Sequence, residues 1–501
     1  MANFTPRIWT VILFAVFFTV GCSDYQGKQN LLDSSGVVSG LPAESISRIE
    51  KFCSDCHQLP APASYPKSQW PEEVFQGFQF YLDSERTDLQ EPNRKETVRY
   101  FQEAAPIEVT VPRSDSFVSV ASSVHFEEIT SSRETFASPT TSQIQWNEPS
   151  KSIYFTNMQN GELRQITPNR VKSEPSIVLA TGRNICRAHL CDWDGDGKQD
   201  YLLSEIGGLS VADHYEGRVS LKLGDAAPIV LAEQLSRVVD ARPFDYDEDG
   251  DLDILVADFG WLKTGSLLLL KNIGGTRESP VLEQIVLEKR HGALGLAIAD
   301  MNGDSKLDFV VMYGQEFESI ESHYNFGGGV YQKETIARLR DPSYNSSSFE
   351  VVDLDKDGRL DVVYSCGDAM DTFIAKPYHG VGWVRNEGNG KWDNRWLGLL
   401  VGALGVSIAD LDGDGDLDVV AVGMFPRPME HGPGTYDSIC WWEQKDDLHF
   451  VRHSVERDRS SYTSVCITDF NNDGRLDIVA GVWQVPNELA FRVFANRPSA
   501  K

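Results

Sequence analysis

Positive charge is the first scarcity. The 501-residue chain has 46 Lys and Arg against 74 Asp and Glu, a formal charge of −28 and a pI near 4.7. A nucleic-acid partner is excluded, because a phosphate backbone needs a basic face. Long apolar runs are scarce too. The run from Ile8 to Val20 has thirteen residues, where a bilayer-crossing helix needs about 20. Cysteine is sparse at eight residues, and the five beyond residue 60 (Cys186, Cys191, Cys366, Cys440 and Cys466) are odd in number. Cys186 and Cys191 share one extended segment, too far apart to pair locally, and these cysteines read as small buried hydrophobes. Methionine is missing altogether between residues 2 and 157.

What is abundant is one nine-residue stretch. Asp192-Trp193-Asp194-Gly195-Asp196-Gly197-Lys198-Gln199-Asp200 has relatives starting at Asp245, Asp300, Asp353, Asp410 and Asp469, at intervals of 53 to 59 residues. A repeat of that period is one structural unit that buries its faces against its neighbours. Oxygen side chains stand at positions 1, 3, 5 and 9: Asp192, Asp194, Asp196 and Asp200; Asp245, Asp247, Asp249 and Asp253; Asp300, Asn302, Asp304 and Asp308; Asp353, Asp355, Asp357 and Asp361; Asp410, Asp412, Asp414 and Asp418; Asp469, Asn471, Asp473 and Asp477. Alternating carboxylates on a tight loop, with Gly at position 6 and a free carbonyl at position 7, wrap a hard cation in oxygens. Calcium is the natural guest, up to six ions, with the Asp at position 9 closing the loop. Asn302, Asn471 and Ser305 (in place of Gly) mark weaker copies. Without calcium the acidic chain should be destabilised by self-repulsion.

Each copy runs into an apolar, strand-like segment such as Leu360-Asp361-Val362-Val363-Tyr364. Two share a lead-in, Gly292-Ala293-Leu294-Gly295 and Gly402-Ala403-Leu404-Gly405. In these features the chain from about 115 to 501 resembles the FG-GAP/VCBS repeat family, whose repeats form blades of calcium-bearing β-propellers. The resemblance implies a mainly β fold, a seven-bladed propeller, and says little about activity. Residues 138–182 read as a degenerate first blade, with Gln143-Ile144-Gln145-Trp146 and Ser152-Ile153-Tyr154-Phe155 in strand positions without aspartates. The last repeat lacks an outer strand, which residues 124–130 are expected to supply, closing the ring and removing two open edges.

Ahead of the propeller, Thr19-Val20-Gly21-Cys22 follows a signal-peptide-like apolar run and resembles a bacterial lipobox with Cys22 lipidated; Thr19 departs from the usual Leu. Either lipidation or a plain secretory signal means export, to the periplasm or outer membrane. Residues 22–44 read as a tether with a reach of roughly 25 Å. Then comes Cys53-Ser54-Asp55-Cys56-His57, the CxxCH spacing of covalent haem attachment: two thiols for the vinyls, an imidazole for the iron. A disulfide or a zinc half-site is the alternative, but zinc needs two further ligands and residues 45–105 hold no other Cys or His. Ile46, Ile49 and Phe52, Pro71 before Val74, Phe75 and Phe78, and Val98, Tyr100 and Phe101 predict three helices. Residues 45–108 thus resemble a small all-α, cut-down class I cytochrome c. That family supplies a methionine as second axial ligand, and this segment has none. The sixth position is open, filled by another side chain, or filled from the propeller, where Met158 is nearest in sequence and Met424 and Met429 fall on the loop face.

Opposite the aspartate loops, the longer connections should form a concave face. Candidate ligands on it are Arg187, His189, His214, Arg242, His291, His323, His379 and His431. Two functions follow: a membrane-tethered electron-transfer protein whose propeller binds or oxidises a small, carbohydrate-like substrate or docks a redox partner, or a non-redox calcium propeller for polysaccharide or protein binding or for lyase or dehydratase chemistry.

Overall fold

The computed structural model describes residues 40–117, 120–129, 134–370, 372–425, 435–445 and 448–499. The signal peptide, Cys22 and most of the tether lie outside these residues, as do Arg427, Met429 and His431. No helix among the described residues is long and apolar enough to cross a membrane.

Three helices come first: α1 (Ala43–Cys53), α2 (Trp70–Asp83) and α3 (Arg94–Ala104). Helix α1 begins inside the stretch expected to be tether. Pro71 starts α2, where its missing N–H costs nothing. Asn93 caps α3, its Oδ1 accepting from Lys95 N at 3.0 Å and Glu96 N at 3.3 Å. The apolar positions meet in one core of Ile49, Phe52, Trp70, Phe78, Tyr100 and Phe101, with Trp70 stacked on Phe101 at 4.1 Å.

The rest is a ring of seven four-stranded antiparallel sheets. Blade 1 spans 144–181 and carries no aspartate loop; blades 2 to 6 follow in chain order. Blade 7 takes its three inner strands from the C-terminal end and its outer one from Val124–Glu128, which pairs with Phe491–Pro498. One sheet thus joins the two ends of the propeller, as the sequence predicted. Second strands such as Asp308–Tyr313 are buried along their whole length because both of their faces meet a neighbouring sheet. The core is therefore divided among blade junctions: Val310, Met312 and Ile320 of blade 4 pack with Val362 and Tyr364 of blade 5.

In blades 2 to 7 the innermost strand shifts register near its start, as between Val238 and Asp240 and between Tyr462 and Ser464. Such a bulge increases local twist where the strand meets the axis. Blade 1, the degenerate copy, pairs its inner strands without a shift.

Candidate functional site

Each aspartate loop joins the first and second strands of its blade, and all six share one hydrogen-bond plan. The position 1 carboxylate accepts from the position 6 N–H, as in Gly197 to Asp192 at 3.1 Å and Ser305 to Asp300 at 2.8 Å. The position 5 carboxylate accepts from the position 7 N–H, as in Lys198 to Asp196 at 2.8 Å. Positions 4 and 6 both sit at positive φ, including Glu248, Lys356 and Asn472 at position 4 and Ser305 (φ 71°) at position 6. The sequence pattern had marked only position 6.

Position 9 does more than the sequence suggested. One oxygen of each Asp accepts from the position 2 N–H and the other from an N–H in or just past the third strand: for Asp200, Trp193 N and Gly224 N, both at 2.8 Å; for Asp361, Leu354 N at 3.3 Å and Asn386 N at 2.7 Å. The same pair recurs at Asp253, Asp308, Asp418 and Asp477. Position 9 was expected to be a closing ligand; it is first a clamp between loop and sheet. Its partners carry their own signal, an Asn-x-Gly that begins towards the end of the third strand, at Asn272, Asn325 and Asn386. The Asn amide reaches the position 8 carbonyl, as from Asn386 Nδ2 to Leu360 O at 3.2 Å. Sequence reasoning missed this motif.

In four loops three carboxylates offer oxygens within 4.8 Å of one another: Asp192, Asp194 and Asp200; Asp245, Asp247 and Asp249; Asp353, Asp355 and Asp357; Asp410, Asp412 and Asp418. Burial, ahead of neighbouring charge, pushes Asp253, Asp361 and Asp477 up to about 6 and Asp418 up to about 7. Acidic groups crowded in this way favour a cation. The copies containing Asn302 and Asn471 do not bring three carboxylates together among the described residues.

On the opposite face the expected ligand cluster disperses. Arg187 and His189 lie on the innermost strand of blade 2 (Ile185–Cys191), and Arg242 on that of blade 3 (Val238–Phe244). They were expected on loops; they line the axis instead, because the strand starts earlier than the loop composition implied. Buried Asp240 holds both arginines, at 3.2 Å each, and Arg242 Nη1 meets His189 Nδ1 at 3.1 Å. Burial, then Arg242, pushes His189 down to about 4. His323 is also displaced from the predicted face. It sits on the third strand of blade 4 and stacks on Phe309 at 4.2 Å, and burial pushes it down to about 4. His379 is fully buried and pushed down to about 3 by burial, then Lys376. His214, His291 and His379 remain on connections of that face among the described residues, His379 buried within its loop. His214 Nδ1 accepts from Glu216 N at 3.3 Å.

The helical unit rests on this same face. Lys263 of blade 3 pairs with Asp83 at the end of α2 at 3.3 Å. On the blade 5 side Ile374 joins the helical core, and Lys376 Nζ lies 4.0 Å over the Tyr65 ring. Cys53 ends α1 and Cys56 lies beyond it at the surface, both as free thiols. Burial pushes Cys53 up to about 12. Cys56 is raised by desolvation, then by Asp55 and, from the propeller, by Glu316, with Arg86 opposing. His57 Nδ1 lies 2.6 Å from Gln58 O. That contact leaves Nε2 as the atom for a metal, the usual way a backbone carbonyl sets a ligand's tautomer. Phe75 and Leu82, seven residues apart on α2, are exposed. The donor set therefore fits haem attachment.

A cavity of about 900 Å³ opens at the junction of blades 7 and 1, on the aspartate-loop side. Elsewhere the position 2 segment is covered by the next blade: Trp193 Nε1 donates to Arg277 O at 2.8 Å and Asn496 Nδ2 to Leu411 O at 2.7 Å. Beside Phe470, blade 1 instead turns through Pro168–Arg170, and a groove remains, lined by Trp146, Gln165, Arg170, Phe470 and Asn472. No sequence signal marked it.

The profile of the FG-GAP-like repeat matches residues 245–311 and 369–421. No curated protein matches the chain. Similar solved structures include a streptogramin B lyase (10% identity, TM-score 0.44, covering 76% of this chain and 100% of that one). Another is a gluconolactonase from Xanthomonas campestris, described as important in glucose secondary metabolism (12% identity, TM-score 0.38, covering 62% of this chain and 94% of that one). The chain carries FG-GAP-like repeats and folds as a seven-bladed β-propeller behind three N-terminal helices.

Proposed function

We propose that this protein is an exported, membrane-tethered c-type haem protein. Its calcium-stabilised propeller couples electron transfer to a small substrate, carbohydrate-like in chemistry, or to a docked redox partner. The observation that carries this reading is the donor set at 53–57: two free thiols spaced for the vinyls, and an imidazole whose Nδ1 lies against Gln58 O. Haem bound there would supply one-electron transfer. Cys53 and Cys56 would hold it, His57 would ligate its iron, and the propeller beneath would limit access of water and partners to that side. Calcium would be held by the aspartate loops on the far face, where its role is structural. Denatured protein should keep its haem through acid–acetone extraction, and C53A/C56A should lose it. Equal haem in the double variant refutes the assignment.

The cavity between blades 7 and 1 favours a second reading, a calcium propeller that binds saccharide without redox chemistry. Trp146 and Phe470 offer apolar faces, and Gln165, Asn472 and Arg170 offer hydrogen bonds. The two readings separate on whether the haem changes oxidation state when saccharide is added.

A further inference from the structure

Resting on the reading of the groove between blades 7 and 1 as a saccharide site, we propose that the blade 7 aspartate loop makes that site calcium-dependent. The groove takes an extended oligosaccharide, and saccharide and cation each tighten the binding of the other.

The groove is longer than its main cavity. A second cavity of about 350 Å³ adjoins the one of about 900 Å³, the two sharing Pro168, Asn169, Phe470 and Asn472. Together they exceed the clefts of about 300–1,000 Å³ that take single small molecules, so the shape suits several linked sugar rings. Trp146 and Phe470 are half-buried and line it. Trp146 is oriented by its Nε1, which donates to Glu148 at 2.6 Å.

One wall of both cavities is the blade 7 loop itself. Asp469 (position 1) and Asn472 line the first cavity, and Asn471 (position 3) and Asn472 line the second. The other five loops have no such setting, because their position 2 residues are covered. Trp193, Met301, Leu354 and Leu411 are buried, and Tyr246 stacks on Tyr331 of blade 4 at 4.6 Å. Phe470, their counterpart, lies along the groove instead.

The same loop has the form of a cation site that the protein leaves short of ligands. It keeps the shared plan, Asp469 accepting from Asp473 N and Gly474 N at 2.9 Å each. Yet Asn471 stands where most copies have a carboxylate, and Asp473 is engaged by Arg475 at 2.5 Å and Arg497 at 3.1 Å. Asn471 Nδ2 turns to Asp477 at 3.5 Å. Its Oδ1 is buried without a hydrogen-bond partner among the described residues, and an orphaned buried oxygen is costly. Calcium takes about six to eight oxygens, amide carbonyls included, and would satisfy it. Saccharide hydroxyls in the groove are further oxygens of the kind this cation takes. The cation in turn offsets the repulsion among Asp469, Asp473 and Asp477 that would loosen the groove wall. Such coupling is reciprocal.

The test uses the full-length protein. An array of neutral and acidic oligosaccharides is probed in calcium, and the member bound best is carried into calorimetry. It should bind at least about fivefold tighter in millimolar calcium than in chelator, and in the reverse titration it should tighten one calcium ion by the same factor and leave the others unchanged. N471A should bind the saccharide in calcium about as weakly as wild type does in chelator, and W146A should lose affinity in both buffers. Equal affinity in the two buffers, equal tightening of every calcium ion, or full calcium dependence in N471A overturns the coupling and leaves the groove reading standing. If no member of the array binds in calcium, or W146A binds like wild type, the groove reading falls and the coupling with it. Where chelator unfolds the ring, wild type against N471A, both in calcium, makes the comparison; where N471A folds poorly, the reverse titration of wild type decides.

Discussion

Lys376 holds its ammonium 4.0 Å above the ring of Tyr65, so a fully buried cation of blade 5 is capped by an aromatic of the helical unit. Its Nζ also donates to Ser343 O at 3.2 Å. Burial pushes Lys376 down to about 8, against the pull of Asp341, Glu73 and Glu318. Tyr65→Ala should cost about 3–4 kcal/mol of local stability, through the lost aromatic volume and the uncovered cation. Limited proteolysis should then cut between the helices and the propeller well before the propeller unfolds. Unchanged protease resistance would show that the other contacts suffice to hold the units together.

The clamp and the cation separate by mutation. Asp361→Ala strands the N–H groups of Leu354 and Asn386, costing about 2–4 kcal/mol even in chelator. Asp357→Ala, whose carboxylate lies at the loop surface, should cost under about 1 kcal/mol in chelator and more with calcium. Urea unfolding in both buffers reads this. Equal effects without calcium would deny position 9 its structural role.

Calcium removal should lower the melting temperature by far more than loss of one surface ion pair, and Asp412→Ala should do more harm than Asp304→Ala in the weakened third loop. Metal analysis below about four ions per chain contradicts the loop reading. In that third loop Ser305 sits at φ 71°, a left-handed conformation costly to any side chain. Ser305→Gly should therefore stabilise by about 0.5–1 kcal/mol, measured by thermal unfolding.

Glu350, on the innermost strand of blade 5, is pushed up to about 7 by burial, opposed by Ser407 and the backbone at Ile408. The folded state then binds its proton more tightly than the unfolded chain does. This contribution to stability is full below about pH 4 and falls as pH rises to about 7. Glu350→Gln should remove that fall, raising stability at pH 8 by up to about 3 kcal/mol and leaving pH 4 nearly unchanged. An identical effect at both values would refute the titration.

The sequence by itself determined the ring. Six nine-residue copies at near-constant spacing, one degenerate blade and a missing outer strand left seven sheets closed by residues near 124 as the only arrangement that buries every face. It also placed the helices, because Ile46, Ile49 and Phe52, Val74 and Phe78, and Val98 and Phe101 stand at helical spacing and Pro71 marks a start. Only tertiary structure decided what each polar side chain meets. Asp361 looks like any other loop aspartate until the third strand brings Asn386 N to it. Arg187, His189 and Arg242 read as loop residues until pairing put them on strands along the axis, tied by Asp240. The groove beside Phe470 depends on how blade 1 turns, and the meeting of Lys376 with Tyr65 depends on how two units dock. Periodicity records which face of an element is buried; it carries no record of contacts between residues distant in the chain.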